Sequence, residues 1–135
     1  MSNKVNGGCL CGAIEYQVKN DFKAFYQCHC KQCQVLTGTA FASNLFTHPD
    51  NIIWVKGAES VSIYQHPERD FAKSFCQSCG SAVPYVNKSK TSLIVPAGSV
   101  KTELTKELHA NIFISEKACW SKSDVYIKSY EYFPE

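Results

Sequence analysis

The sequence predicts a mainly β fold of short strands in one domain, residues 1–135, with at most one or two short helices. Three observations carry that expectation. Apolar and polar residues alternate over short runs, the period of half-buried strands. Turn residues such as Pro49-Asp50-Asn51 and Gly57 divide those runs. Seven of the eight cysteines fall into three knots beside them, Cys9 with Cys11, Cys28 with Cys30 and Cys33, and Cys76 with Cys79.

Taken in order, residues 13–18 put Ile14, Tyr16 and Val18 on one face and Glu15 and Gln17 on the other. Residues 23–28 form a second strand that delivers the chain into the central knot. Residues 34–37, closed by Gly38, fit a single helical turn with a glycine stop. Residues 40–46, 52–56 and 61–65 are short strands, and 73–75 make an extended approach to the last knot. Residues 83–86 and 92–95 read as a hairpin around 87–90. The spacing of Leu104 and Leu108 predicts a helix over 101–108, about two turns long. Residues 112–114 and 125–133 complete the strands.

Composition excludes several classes of function. At 135 residues the chain can bury roughly two-thirds of its unfolded surface, so no metal is required merely to compensate for a small core. A hydrophobic share of 44% with 13% aromatics argues against disorder. The net charge of +2 and the single arginine, Arg69, are a poor endowment for gripping phosphates, so no nucleic-acid partner is expected. No run reaches the length of a membrane span, and residues 1–8 are too polar for a signal peptide. The expected compartment is the reducing cytoplasm, where clustered cysteines are more often metal ligands than disulfides.

The spacing of the thiols suits zinc. Cys76 and Cys79, followed by Gly80, have knuckle spacing, in which the glycine permits a tight turn that aims N–H groups at sulfur. Cys9 and Cys11 share a face if their segment is extended. If these four close one tetrahedron, Cys28, Cys30 and Cys33 remain for a second ion with a vacant fourth position, the mark of a site that does chemistry. Three thiolates around a divalent zinc sum to minus one. Such an ion is a weak acid toward water yet still favours an incoming thiol in its ionised form, so a substrate sulfur is the expected fourth ligand.

Other readings stay open on the residues alone. Cys76 and Cys79 could be a redox dithiol, although that motif normally opens a helix and Gly80 with Pro84 does not favour one. The central trio could be structural, its fourth ligand a histidine or Cys119. His29 should face away from the metal on an extended strand, while His48, His66 and His109 stand alone. Cys119 beside Trp120 reads as a small hydrophobe, and Trp54, Trp120 and the tyrosines as core.

The order of motifs carries a family resemblance. Gly8-Cys9-Leu10-Cys11-Gly12, Cys28-His29-Cys30-Lys31-Gln32-Cys33 with Thr37-Gly38 beyond it, and Phe75-Cys76-Gln77-Ser78-Cys79-Gly80 resemble the glutathione-dependent formaldehyde-activating enzyme family, also called the centromere protein V family. Pro96-Ala97-Gly98, His109 and Ser115-Glu116-Lys117-Ala118-Cys119-Trp120 extend the match. The resemblance implies a β-tent fold with two zinc ions per chain, a structural one on Cys9, Cys11, Cys76 and Cys79 and a catalytic one on Cys28, Cys30 and Cys33. It also implies a carbon–sulfur lyase that reversibly condenses glutathione with formaldehyde to S-hydroxymethylglutathione. Gln34 stands where the family often has arginine, and Cys119 where it often has proline.

The expected function is therefore a zinc-dependent carbon–sulfur lyase acting on a small thiol such as glutathione, with Lys31, Arg69 and Lys73 as candidates for meeting substrate carboxylates. The alternative is a non-catalytic zinc-stabilised binding module, since structural zinc alone can supply on the order of ten kcal/mol of folding energy. A thiol redox switch is a third class, which metal analysis would separate from the other two.

Overall fold

The computed structural model of the chain describes residues 3–121 and 127–134. Its strands are β1 (Lys4–Gly8), β2 (Glu15–Lys19), β3 (Ala24–Cys28), β4 (Ala42–Thr47), β5 (Ile52–Lys56), β6 (Val61–Gln65), β7 (Ala72–Cys76), β8 (Ala82–Val83), β9 (Tyr85–Val86), β10 (Leu93–Pro96) and β11 (Ala110–Ile112). One α-helix, α1 (Lys31–Thr37), lies between β3 and β4. The strands form three small sheets in the orders β1-β2-β5, β11-β3-β4-β10-β9 and β6-β7-β8. The architecture is mainly β, as the alternation predicts.

The alternation of β2 buries Tyr16 and Val18 and leaves Glu15 and Lys19 outside. Strand β1, absent from the sequence reading, pairs antiparallel with it and sets Gly7 opposite Tyr16. A Cβ on Gly7 would come within 2.4 Å of the Tyr16 ring, so glycine at that position lets the ring pass. The Tyr16 hydroxyl then meets the Ser99 Oγ at 2.5 Å, tying this sheet to the turn after β10. Around Tyr16 the main core gathers Val5, Val18, Phe22, Leu45, Leu93 and Val95, with Trp54 edge-on to the Tyr16 ring at 6.0 Å. Each such side chain contributes about 1.5–3 kcal/mol through burial.

Several expectations are corrected. Residues 101–108 are not helical, and the chain there is anchored at its two ends to different strands. Lys101 N donates to Asn6 O at 2.7 Å, Asn6 N donates to Thr102 Oγ1 at 2.9 Å, and His109 N donates to Phe25 O at 3.0 Å. The segment straps β1 to β3, and of its two leucines Leu104 packs on the core while Leu108 is exposed. The strand expected at 112–114 lies at β11 instead and runs parallel to β3, the exception among antiparallel pairings. Phe113, with φ of 56°, ends it. Of the strand expected at 125–133, residues 125–126 lie outside the described residues and 127–133 are not in a strand. Trp120 is exposed and builds no core.

The predicted hairpin is divided by Pro84, which is buried and has no N–H to give a ladder. Val83 pairs with Ser74 of β7, whereas Tyr85 and Val86 pair with Ile94 and Leu93 of β10. Pro84 therefore passes the chain from one sheet to another. The last knot of cysteines, at the end of β7, is thereby brought alongside the sheet that carries the central knot.

Candidate metal centres and their cleft

The first cluster forms where β1 and β7 end. Cys9-Leu10-Cys11 is a turn closed by Gly12 N donating to Cys9 O at 3.3 Å, not the extended segment that the spacing suggested. Leu10 points to solvent and the two sulfurs turn together, 3.7 Å apart. Cys76 begins a knuckle in which Gly80, at φ of 77°, donates its N–H back to Cys76 O at 2.8 Å. The Cys11 and Cys76 sulfurs are 3.8 Å apart, and all four lie within 4.8 Å of one another.

These distances fit a metal. A tetrahedron with zinc–sulfur bonds of about 2.3 Å has edges of about 3.8 Å. Backbone N–H groups already address the sulfurs, Ile14 N to Cys9 Sγ at 3.2 Å and Ser78 N to Cys76 Sγ at 3.4 Å. Ser81, which the sequence reading missed, meets Cys79 Sγ at 3.2 Å and accepts from Leu10 N at 3.0 Å. Its hydroxyl and backbone N–H together pull the Cys79 thiol down to about 5. At Cys11 the Ala13 backbone acts in the same direction, but the neighbouring Cys9 thiol and burial outweigh it and the thiol stands at about 11. Cys9 and Cys76 also belong to a second core cluster with Ile14 and Val83, so this centre is part of the fold's interior.

The second cluster sits where β3 runs into α1. Cys28 ends the strand, Cys30 caps the helix by accepting Cys33 N on its sulfur at 3.3 Å, and Cys33 lies in the first turn. The helix is longer than the single turn predicted because this cap starts it at Lys31, and Gly38, at φ of 71°, stops it as expected. The three sulfurs lie within 4.8 Å of one another, and among the described residues no fourth cysteine, histidine or carboxylate joins them. Burial first, and the neighbouring thiols second, push Cys33 well above the ordinary thiol range. Burial raises Cys28 as well, and a cation beside these two thiols would favour their ionised forms.

The other candidates fall outside both clusters. His29 turns away from the trio as predicted, with Nε2 3.0 Å from Asn111 Oδ1 and its ring against Phe41. Its Nδ1 is buried and has no hydrogen-bond partner among the described residues. His109 lies edge-on to the Tyr26 ring, while the Nδ1 atoms of His48 and His66 each accept backbone N–H groups of their own loops. Cys119 is exposed, not packed as a small hydrophobe. Gln34, in place of a cation, is buried and donates through Nε2 to His29 O at 2.7 Å and Glu116 O at 2.9 Å, locking α1 to the turn at Ile114–Glu116.

A cleft of about 840 Å³ opens over the trio and is lined by all three cysteines. Lys31, His66 and Arg69 stand on its walls, and Arg69 Nη1 donates to Gln32 Oε1 at 2.7 Å, which holds the guanidinium beside the start of α1. Lys73, grouped with Lys31 and Arg69 from sequence, lies elsewhere, in a smaller cavity that reaches Cys33 from the β7 side.

The family model described as glutathione-dependent formaldehyde-activating enzyme matches residues 4–116. A Halomonas elongata protein, named provisionally as such an enzyme, is 30% identical over 125 residues, covering 86% of this chain and 78% of its own length. The crystal structure of a Rhodobacter sphaeroides protein superposes with a TM-score of 0.63 at 24% identity, over 78% of this chain and 98% of that one, which is a likeness of fold. Among the described residues no helix is long and apolar enough to cross a membrane.

Proposed function

The chain belongs to the glutathione-dependent formaldehyde-activating enzyme family, and on that footing we propose that it is a zinc-dependent carbon–sulfur lyase, joining a small thiol to an aldehyde and reversing that addition. The reading takes residues 1–135 as one zinc-binding domain working in the reducing cytoplasm. Cys9, Cys11, Cys76 and Cys79 would hold a structural ion, and Cys28, Cys30 and Cys33 a second. Thiolate-only donor sets at tetrahedral spacing favour zinc among the common divalent metals. Bound at the trio, zinc supplies a position at which a thiol is favoured as its thiolate.

The observation that carries the proposal is the trio's incompleteness at the floor of a large cleft: three sulfurs, no fourth ligand among the described residues, and open space above them. A purely structural ion has no use for such a cleft. The chain's own residues then do the positioning. Cys30 keeps α1 capped while facing the cleft, so the helix and the sulfurs are set by the same contact. Arg69, anchored on Gln32, and Lys31 offer donors at the rim for the carboxylates of a glutathione-like thiol. The burial of Cys28 and Cys33 limits water around the reacting sulfur.

Exchange NMR of a glutathione and formaldehyde mixture tests this reading. The metal-loaded protein should accelerate interconversion with S-hydroxymethylglutathione well above the spontaneous rate. No acceleration at two metals per chain would favour the zinc-stabilised binding module instead.

A further inference from the structure

The cavity that reaches Cys33 from the β7 side has no task in the reaction as described so far. Its volume is about 270 Å³, whereas formaldehyde has two heavy atoms. An apolar cavity of about 150 Å³ already accommodates benzene. The walls are mostly apolar, supplied by Leu36, Phe41, Phe71, Val83 and Pro96. The polar residues of the lining are Thr37, Ser43, Asn44, Lys73 and Tyr85. Neither the Lys73 Nζ nor the Tyr85 hydroxyl has a hydrogen bond or ion pair with any described residue.

The cavity is not isolated from the trio. Cys33, Leu36, Asn44, Phe71 and Tyr85 line both this cavity and the open cleft, so the two spaces share a wall beside one sulfur of the trio. Lys73 is half-buried on β7, and its burial depresses the amine's pKa against the opposing pull of Cys33. A carbonyl oxygen held in the cavity that Lys73 and Tyr85 line would give both groups the partner they lack among the described residues.

We propose that this cavity receives the organic body of an aldehyde larger than formaldehyde, an aryl or branched alkyl aldehyde, with Lys73 and Tyr85 donating hydrogen bonds to its carbonyl oxygen. The inference rests on the reading of the cleft as a thiol–aldehyde site and names the class of electrophile for it. The thiol enters from the larger cleft and the aldehyde's apolar group fills the smaller cavity, so that the carbonyl carbon lies at their junction near Cys33. As the thiolate's electron pair forms the carbon–sulfur bond, the carbonyl π pair moves onto oxygen, where these donors stabilise the charge, and the proton that the thiol released on ionising returns to that oxygen.

The test separates binding from catalysis. Metal-loaded protein is titrated with 4-fluorobenzaldehyde and followed by fluorine NMR. Saturable binding near 1 mM or tighter is expected for a ligand of this size. Ala82→Phe, which fills the cavity, should weaken binding at least tenfold. Lys73→Met, which removes a charge-assisted donor, should weaken it about tenfold, and Tyr85→Phe less. Metal content and thermal melting of each variant establish that it is folded. Absence of saturable binding, or binding indifferent to both Ala82→Phe and Lys73→Met, overturns the proposal. Accelerated exchange of formaldehyde with glutathione, without binding of the aryl aldehyde, overturns the proposal and leaves the lyase reading intact. Binding sensitive to these variants, without acceleration of either aldehyde's exchange, supports the pocket and removes the lyase reading.

Discussion

Replacing one cysteine from each cluster should have opposite consequences, and Cys30→Ser is the cleaner of the two substitutions. Cys30 is half-buried and caps α1 through its sulfur, 3.3 Å from Cys33 N. Serine is among the preferred capping residues, so the helix keeps its cap and the fold should lose no more than about 1 kcal/mol. That corresponds to a melting shift of about 5 °C or less for a chain of this size. The trio, however, keeps two thiolates, and metal content should fall from about two to about one per chain. Cys76→Ser acts on a sulfur that is 0% exposed and packed with Cys9, Ile14 and Val83. Structural zinc contributes on the order of 10–16 kcal/mol, as large as the whole net stability of a domain, about 5–15 kcal/mol. Cooperative melting should therefore be lost. Elemental analysis, circular dichroism melts and thiol–aldehyde exchange, measured together on both variants, check the division. The reasoning is refuted if Cys30→Ser retains two ions, or if Cys76→Ser melts like the parent.

Two further outcomes follow from the packing. A Cβ at Gly57 would lie 1.9 Å from Ala13 O at a φ of 79°, so Gly57→Ala should cost at least about 3 kcal/mol in a denaturant melt, whereas Gly80→Ala, with φ of 77° and open space around it, should cost only about 1–2 kcal/mol before any effect on metal. Burial raises Tyr16 from 10.0 to about 12, against the lowering by Ser99, so the neutral phenol stabilises the fold below pH 10 and that contribution is lost as pH rises through about 12. Melting temperature across this range, read with tyrosinate absorbance, should fall less steeply in Tyr16→Phe.

Much of the site was legible because its signals are local. Knuckle spacing with Gly80, and three cysteines within six residues, point to metal whatever the surrounding fold. The partner clusters were found even where the reasoning about local geometry was not right, since Cys9 and Cys11 meet through a turn and not along a strand. What was not legible depends on distant contacts. Strand β1 has little apolar signal because Gly7 and Gly8 leave room for Tyr16 and the Ile14 carbonyl. The segment 101–108 has a helical pair of leucines, but it is drawn out between Asn6 of β1, which accepts from Lys101 and Thr102, and Phe25 of β3, which accepts from His109 just beyond it. Trp120 and Cys119 read as core from their types, yet both are exposed. Lys73 was grouped with Lys31 and Arg69 by charge, and only the packing of β7 beside Cys33 separates it from them.

The account depends on one ion being closed by four protein sulfurs and the other being open with three. X-ray absorption at the zinc edge, on metal-loaded protein with and without added glutathione, measures this directly. Seven cysteine sulfurs shared between two ions predict an average of about 3.5 sulfurs per zinc, rising toward about four when the thiol is added. Four sulfurs per zinc without the thiol, unchanged on its addition, would contradict the account.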